Sequence, residues 1–309
     1  MSLRVRKPGL FTTIQDLGRP GHGRWGVSPG GAMDPLALTL ANRLVGNNSQ
    51  AAALEVTALG PELVFDEEAT FAVTGADLSA TLDGARLTQG QAHRARPGQT
   101  LRFGTRAQGA RAYVAVAGGL GRSARPFLGS VATDIETSLG GLGGRPLRAG
   151  DAPELEPQPP FQARTVREGW ERWYQPREVV RFIPEAGARL PAEAVERFTA
   201  SHFRISSRSN RVGYRLEGAP LPTESVGLQL SEPVAPGTIQ LPPDGNPIVL
   251  MADRQTTGGY PRLGHVIRAD VPKLAQLWLG DAVSFRAVTL EEARQALREL
   301  QAWLEAAVV

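Results

Sequence analysis

The chain has 309 residues, more than a single hydrophobic core usually serves, so two domains are expected. It contains no cysteine, which excludes disulfides, thiolate zinc sites, iron–sulfur clusters and a cysteine nucleophile. Its formal charge of +3 rests on arginines scattered among acids, with Lys7 and Lys273 the only lysines, and no basic stripe with interleaved aromatics points to nucleic acid.

In chain order, the charged start Met1–Pro8 is followed by no apolar segment of the secretory kind, and no apolar run approaches the roughly 20 residues that span a bilayer. A cytoplasmic protein without membrane contact is expected. The first glycine-rich loop runs from Phe11 to Pro35 and carries Gln15, Asp16, Arg19 and Ser28, side chains that can present oriented donors and acceptors. Within it Gly21-His22-Gly23-Arg24-Trp25-Gly26 fits G-x-G-x-x-G, but Ser28-Pro29-Gly30-Gly31 follows where a dinucleotide site needs a helix. The helix comes later, from Pro35 to about Val45. Asp34 is its N-cap, Leu36, Leu40 and Leu44 form one face, and Gly46 ends it.

Short runs rich in Val, Thr and Phe then predict strands at Glu62–Phe65, Thr70–Thr74 and Tyr113–Val116, with a hairpin over Leu78–Leu87 that turns at Asp83-Gly84. A second glycine-rich region spans Ala117–Arg122, Leu128–Asp134 and Gly140–Arg145. The proline-rich stretch Asp151–Pro160 suits neither a strand nor a core and marks the expected boundary between domains 1–155 and 161–309. Further strands are expected at Val179–Ile183, Thr238–Leu241, Ile248–Met251 and Val283–Phe285. A last helix opens on a capping box, Thr289 with Glu292, and carries the stripe Leu290, Ala293, Leu297, Leu300 and Leu304.

The third polar loop is the most specific. An apolar strand delivers Asp253, Arg254, Gln255, Thr256, Thr257 and Tyr260 into a segment expected to turn at Gly258-Gly259, a way to fix hydrogen-bonding groups beside a small polar substrate. No G-x-x-x-x-G-K-[ST] loop, G-x-S-x-G elbow or biotin-attachment sequence is present. His22, His93, His202 and His265 show no metal-ligand spacing, so no metal is expected.

Taken together, Thr12–Arg19, Gly31-Ala32-Met33-Asp34, Leu54-Glu55-Val56-Thr57, Ser209–Leu216 and Gly237–Tyr260 resemble, in order along the chain, the signature segments of the allophanate hydrolase subunit 2 family. That family is also described as biotin-dependent carboxyltransferases or kinase-inhibitor antagonists. The resemblance implies a mostly β fold of two β-barrel-like halves, at least one cyclophilin-like, with a few short helices. It implies membership of an ATP-dependent 5-oxoprolinase complex that converts 5-oxoproline to glutamate, in which the chain works with a B-type subunit (an allophanate hydrolase subunit 1 homologue) and an A-type subunit.

Two alternatives follow from the same resemblance. One is a carboxyltransferase module that moves a carboxyl group from carboxybiotin to urea or a similar amide. The other is a non-catalytic antagonist that binds a kinase-inhibitor homologue. On the 5-oxoprolinase reading the expected catalytic residues are Asp253, Arg254 and Gln240. Gln255, Thr256, Thr257, Tyr260, Arg211, Gln15 and Ser28 are expected to bind substrate. Arg254, Arg211 and Arg262 are the candidates for stabilising an anionic transition state. Gly30, Val131, Ala132 and Arg262 depart from the residues common in the family, which removes two serines and an Arg from the loops and replaces a Lys by Arg.

Overall fold

The computed structural model describes residues 2–120, 123–157, 160–174, 178–186, 190–223 and 230–309. Gly121 and Arg122 of the second glycine-rich region, and Gln158 and Pro159 of the proline-rich stretch, lie outside them. The protein is mostly β and divides into two compact units. The first comprises Met1–Arg19, Gly30–Trp170 and Leu304–Val309, and the second Pro20–Pro29 and Glu171–Trp303. Asp151–Pro160 therefore lies within the first unit, which continues to Trp170.

The first unit holds β1 (Leu3–Lys7), β2 (Phe11–Gln15), α1 (Pro35–Leu44), β3 (Ala53–Thr57), β4 (Glu62–Phe65), β5 (Ala69–Asp77), β6 (Thr81–Leu82), β7 (Ala85–Arg86), β8 (Ala92–Ala95), β9 (Thr100–Arg102) and β10 (Gln108–Val116). They form two five-stranded sheets, ordered β1-β4-β9-β6-β7 and β2-β3-β10-β5-β8. Alternation decides what each face does. Leu3 and Val5 of β1 point into the core while Arg4 and Arg6 face out, and Leu63, Phe65 and Leu101 join them against Ile14, Leu54, Phe71, Val73 and Val114 of the other sheet. Strand β10 is buried on both faces because α1 covers the side away from that core, where Thr74 Oγ1 donates to Ala37 O at 2.7 Å.

The hairpin turns where the sequence requires it, with positive φ at Asp83 (48°) and Gly84 (87°). Helix α1 is capped by Asp34, whose carboxylate accepts the Ala37 N–H at 2.9 Å. Eight of its ten residues are buried, however, rather than the one face its leucines mark. Beneath its N-terminus lies a closed polar network. Glu55 Oε2 accepts the Met33 N–H at 2.8 Å and the Tyr113 hydroxyl at 2.7 Å, and the Tyr113 oxygen accepts the Asp34 N–H at 2.8 Å. Burial, then the neighbouring Glu55 and Asp34 charges, hold the Tyr113 phenol protonated well above its ordinary range.

The second unit contains β11 (Val179–Pro184), α2 (Ala192–Ala200), β12 (His202–Ile205), β13 (Gly213–Glu217), β14 (Glu232–Pro233), β15 (Thr238–Gln240), β16 (Ile248–Leu250), β17 (Thr257–Gly258), β18 (Arg262–Val266), α3 (Val271–Ala275), β19 (Ala282–Ala287) and α4 (Leu290–Glu305) as far as Trp303. Seven strands close a barrel in the order β11-β18-β15-β16-β13-β12-β19, and a parallel pairing of β11 with β19 completes the ring. Phe182, Phe198, Phe203 and Phe285, from β11, α2, β12 and β19, pack as one aromatic cluster with ring centroids 4.5–6.3 Å apart. Outside the ring, β14 and β17 make a two-residue antiparallel ladder, Glu232 opposite Gly258 and Pro233 opposite Thr257. The capping box of α4 forms as its sequence predicts, with Thr289 N–H donating to Glu292 Oε2 at 2.7 Å and Glu292 N–H to Thr289 Oγ1 at 3.2 Å. Among the described residues, no helix is long and apolar enough to cross a membrane.

Candidate functional site

Strand β16 ends at Leu250, and the chain then enters the third polar loop through two anchors. Met251 N–H donates to Val212 O at 3.0 Å, and Asp253 N–H to Arg211 O at 2.9 Å. The side chains repeat the connection: Arg211 Nε and Nη2 reach the two oxygens of Asp253 at 2.7 and 2.9 Å, with both side chains nearly buried. Two residues expected to act separately are thus a bidentate pair, the strong and directional form of a charged hydrogen bond. Both oxygens of Asp253 are thereby engaged at the point where the loop begins.

Arg262 is likewise committed. Its Nη2 lies 2.5 Å from Glu232 and 3.2 Å from Glu185, and Glu185 also meets His265 Nε2 at 2.9 Å. His265 Nδ1 contacts Thr238 Oγ1 at 3.1 Å, so this histidine belongs to a hydrogen-bonded chain along the barrel wall.

Arg254 differs from both. It is 6% exposed, its Nε donates to Val234 O at 3.3 Å, and no carboxylate among the described residues pairs with it. Burial alone pushes its guanidinium down to about 10, still charged at neutral pH. Neither terminal nitrogen has a partner among the described residues, and neither is sealed from solvent.

Gln240, at the end of β15, is 1% exposed, and its Nε2 is buried with no hydrogen-bond partner among the described residues. Such a group costs about 1–3 kcal/mol in a core and commonly marks a place where another polar molecule fits. Gly258 explains how the side chain is accommodated, since a Cβ there would stand 2.3 Å from Gln240 Nε2. The sequence reading places a sharp turn at Gly258-Gly259. Instead Gly258 lies in the β14–β17 ladder, and its lack of a side chain serves the close approach of Gln240. Gly258→Ala should therefore fold normally while displacing the Gln240 amide. The expected result is a melting temperature near wild type with turnover reduced about tenfold to 100-fold, as misplacing a binding group by about 1 Å does. Circular dichroism melts and steady-state kinetics check both.

The other loop residues are more open. Gln255, Thr257 and Tyr260 are exposed and Thr256 half-buried, the Thr256 carbonyl accepting the Val234 N–H at 3.1 Å. Segment Pro20–Pro29 belongs to this unit, and Gly23 lies near the Thr256 side chain. Ser28 Oγ and His22 Nδ1 are each buried without a partner among the described residues, His22 stacks on Trp25 at 5.5 Å, and Arg24 lies 4.2 Å above the same indole.

Gln15 is in the first unit. It is fully buried, and its Nε2 donates to Thr133 O at 3.0 Å and Thr13 Oγ1 at 3.1 Å, while Oε1 is unpartnered among the described residues. Close by in sequence, Asp16 ties its loop to the second glycine-rich region by accepting from Ser130 Oγ at 2.6 Å and Val131 N at 2.7 Å. Arg19 donates to Ala132 O and leaves Nε and Nη1 buried without partners among the described residues. The sequence reading missed the parts played by Val234 and the Glu232-Pro233 strand, whose two residues carry no periodicity. Among the described residues, no cluster of metal-ligating side chains occurs.

The model of the carboxyltransferase domain, subdomains A and B, matches residues 25–287. The chain is 38% identical to the C-type subunit of 5-oxoprolinase from Escherichia coli (strain K12), over 98% of this chain and 96% of that protein. It is 31% identical to the urea amidolyase of Saccharomyces cerevisiae, over 97% of this chain but 17% of that protein. The crystal structure of the K. lactis urea amidolyase superposes with a TM-score of 0.88 at 29% identity, covering 99% of this chain and 20% of that one. By the extent of the family match and of these full-length relatives, the chain belongs to the carboxyltransferase domain family, subdomains A and B.

Proposed function

We propose that this chain is the C-type subunit of a cytoplasmic, ATP-dependent 5-oxoprolinase complex that opens 5-oxoproline to glutamate together with a B-type subunit, the allophanate hydrolase subunit 1 homologue, and an A-type subunit. The observation that carries this reading is the end-to-end match: the C-type subunit of the E. coli 5-oxoprolinase is covered over 96% of its length, whereas the yeast urea amidolyase is covered over 17% of its own. The chain also lacks a phosphate-binding G-x-x-x-x-G-K-[ST] loop. ATP is therefore assigned to the complex, and the residues here are assigned to the lactam.

A lactam is a poor electrophile, and its opening needs the amide held in one orientation while charge develops on its oxygen. Gln240 Nε2 offers a buried donor, Ser28 Oγ a hydroxyl, and Asp253, fixed by Arg211, positions the loop that carries Thr256 and Tyr260. The test is co-expression with the A-type and B-type subunits followed by measurement of glutamate released from 5-oxoproline. Glutamate is expected with all three chains and ATP, and none when this chain is left out. Glutamate formation independent of this chain would end the reading.

The likeness to the urea amidolyases supports a second reading, transfer of a carboxyl group from carboxybiotin to urea or a related amide. It predicts activity that needs a biotinylated carrier and is blocked by avidin.

A further inference from the structure

We propose that Arg254 is the specificity-determining residue of this site and binds the carboxylate of an anionic lactam, so that the chain selects 5-oxoproline over neutral amides. The inference rests on the 5-oxoprolinase reading and adds to it the group that recognises the substrate's charge.

Three arginines surround the third polar loop, and two are neutralised by protein: Arg211 by Asp253, and Arg262 by Glu185 and Glu232. Arg254 is as buried as Arg211 yet has no countercharge among the described residues. A buried cation without a partner destabilises the fold that contains it, and burial is what depresses this guanidinium. Its retention is explained if a ligand supplies the missing charge.

The geometry specifies the ligand further. Val234 O occupies Nε, which fixes the plane of the guanidinium and leaves the Nη1–Nη2 edge unpartnered among the described residues and in reach of solvent. That edge is a planar two-donor fork, which matches a carboxylate and gives a neutral carbonyl only one contact. The unpartnered Gln240 amide belongs to the same framework: Gly258, against which it rests, pairs with Glu232, two residues before the Val234 that holds Arg254. A cation held by the residue that follows one short ladder and a neutral donor resting against that ladder suit a molecule with a carboxylate and an adjacent amide. 5-Oxoproline has both, whereas urea has no charge to offer.

The test compares wild type, Arg254→Met and Arg254→Lys in the three-subunit complex, with 5-oxoproline and with 2-pyrrolidinone, the same ring without the carboxylate. For Arg254→Met, kcat/KM for 5-oxoproline is expected to fall roughly 100-fold, mostly through KM, with a far smaller fall for 2-pyrrolidinone, so that the preference collapses. Arg254→Lys should keep part of it. Because the substitution removes an uncompensated buried charge, Arg254→Met should melt no lower than wild type. Equal losses on both substrates, no loss on either, or a lowered melting temperature with equal losses would overturn the assignment.

Isothermal titration of the complex without ATP separates the two readings. Wild-type complex should bind 5-oxoproline at least about tenfold tighter than 2-pyrrolidinone, and Arg254→Met should abolish the difference. Absence of ATP-dependent glutamate from wild type would end the 5-oxoprolinase reading alone. Absence of the binding preference, or its persistence in Arg254→Met, would end the carboxylate subsite.

Discussion

If the proposed 5-oxoprolinase reading holds, Asp253→Ala is expected to reduce turnover of the reconstituted complex below detection while this chain still co-purifies with the A-type and B-type subunits. Both oxygens of Asp253 are held by Arg211 at 2.7 and 2.9 Å, and the Asp253 N–H donates to the Arg211 carbonyl at 2.9 Å. Removing the carboxylate breaks a nearly buried ion pair from one side, which typically costs about 3–5 kcal/mol. It also frees the start of the loop that carries Arg254, Thr256 and Tyr260. Loss of activity alone would not separate a positioning role from simple instability, so the double variant Arg211→Met/Asp253→Ala is the decisive companion. It removes the guanidinium together with the carboxylate and should recover much of the melting temperature. If the pair orients the loop for substrate, turnover stays lost in the double variant even though the fold is restored. Recovery of turnover with stability would reduce the pair to a structural clamp.

How far this site could be read from sequence depends on the range of the interactions that build it. Local signals were sufficient for local structure. Asp83-Gly84 forms its hairpin turn, Asp34 caps α1, and Thr289 with Glu292 closes the box that starts α4. The density of polar groups from Asp253 to Tyr260 marked a loop, and Gly258 within it lies against Gln240. What the sequence does not record is which charge answers which. Arg211 and Asp253 are 42 residues apart, and Arg262 and Glu232 are 30 apart. No periodicity links either pair, so all three arginines look equivalent until the barrel brings two of them to carboxylates. The role of Gly258 was hidden similarly, because a glycine needed for close approach and a glycine needed for a turn have the same spelling. Helix α2 was missed for a local reason: Pro191 occupies its N-cap without a side-chain hydrogen bond, and its nine residues carry no capping signature.

A stability effect of the same size should come from a residue with no part in the candidate site. Asp270 is fully buried beside α3, where its Oδ2 accepts from the Arg181 N–H at 2.8 Å and Nε at 2.9 Å, its Oδ1 accepts from Arg181 Nη2 at 2.7 Å, and Lys273 Nζ lies 3.2 Å away. Arg181 is on β11, the strand whose parallel pairing with β19 completes the barrel. Burial by itself would raise the Asp270 carboxyl, but the hydrogen bond from Arg181 and the Lys273 charge outweigh it and hold the group below the usual aspartate range. Asp270→Asn keeps the shape and removes the charge, leaving two cations facing a neutral amide, and should cost about 3–5 kcal/mol. The sign of the pH dependence follows from the depressed value. In the wild type, the stabilisation by this carboxylate is fully present above the unfolded-state value of about 3.9 and is lost as pH falls through the lower folded value. The variant has no such group. Denaturant melts of the two proteins should therefore differ most at neutral pH and converge below roughly pH 4. A gap that stays constant into acid would show that packing at this position, rather than its charge, holds β11 in the barrel.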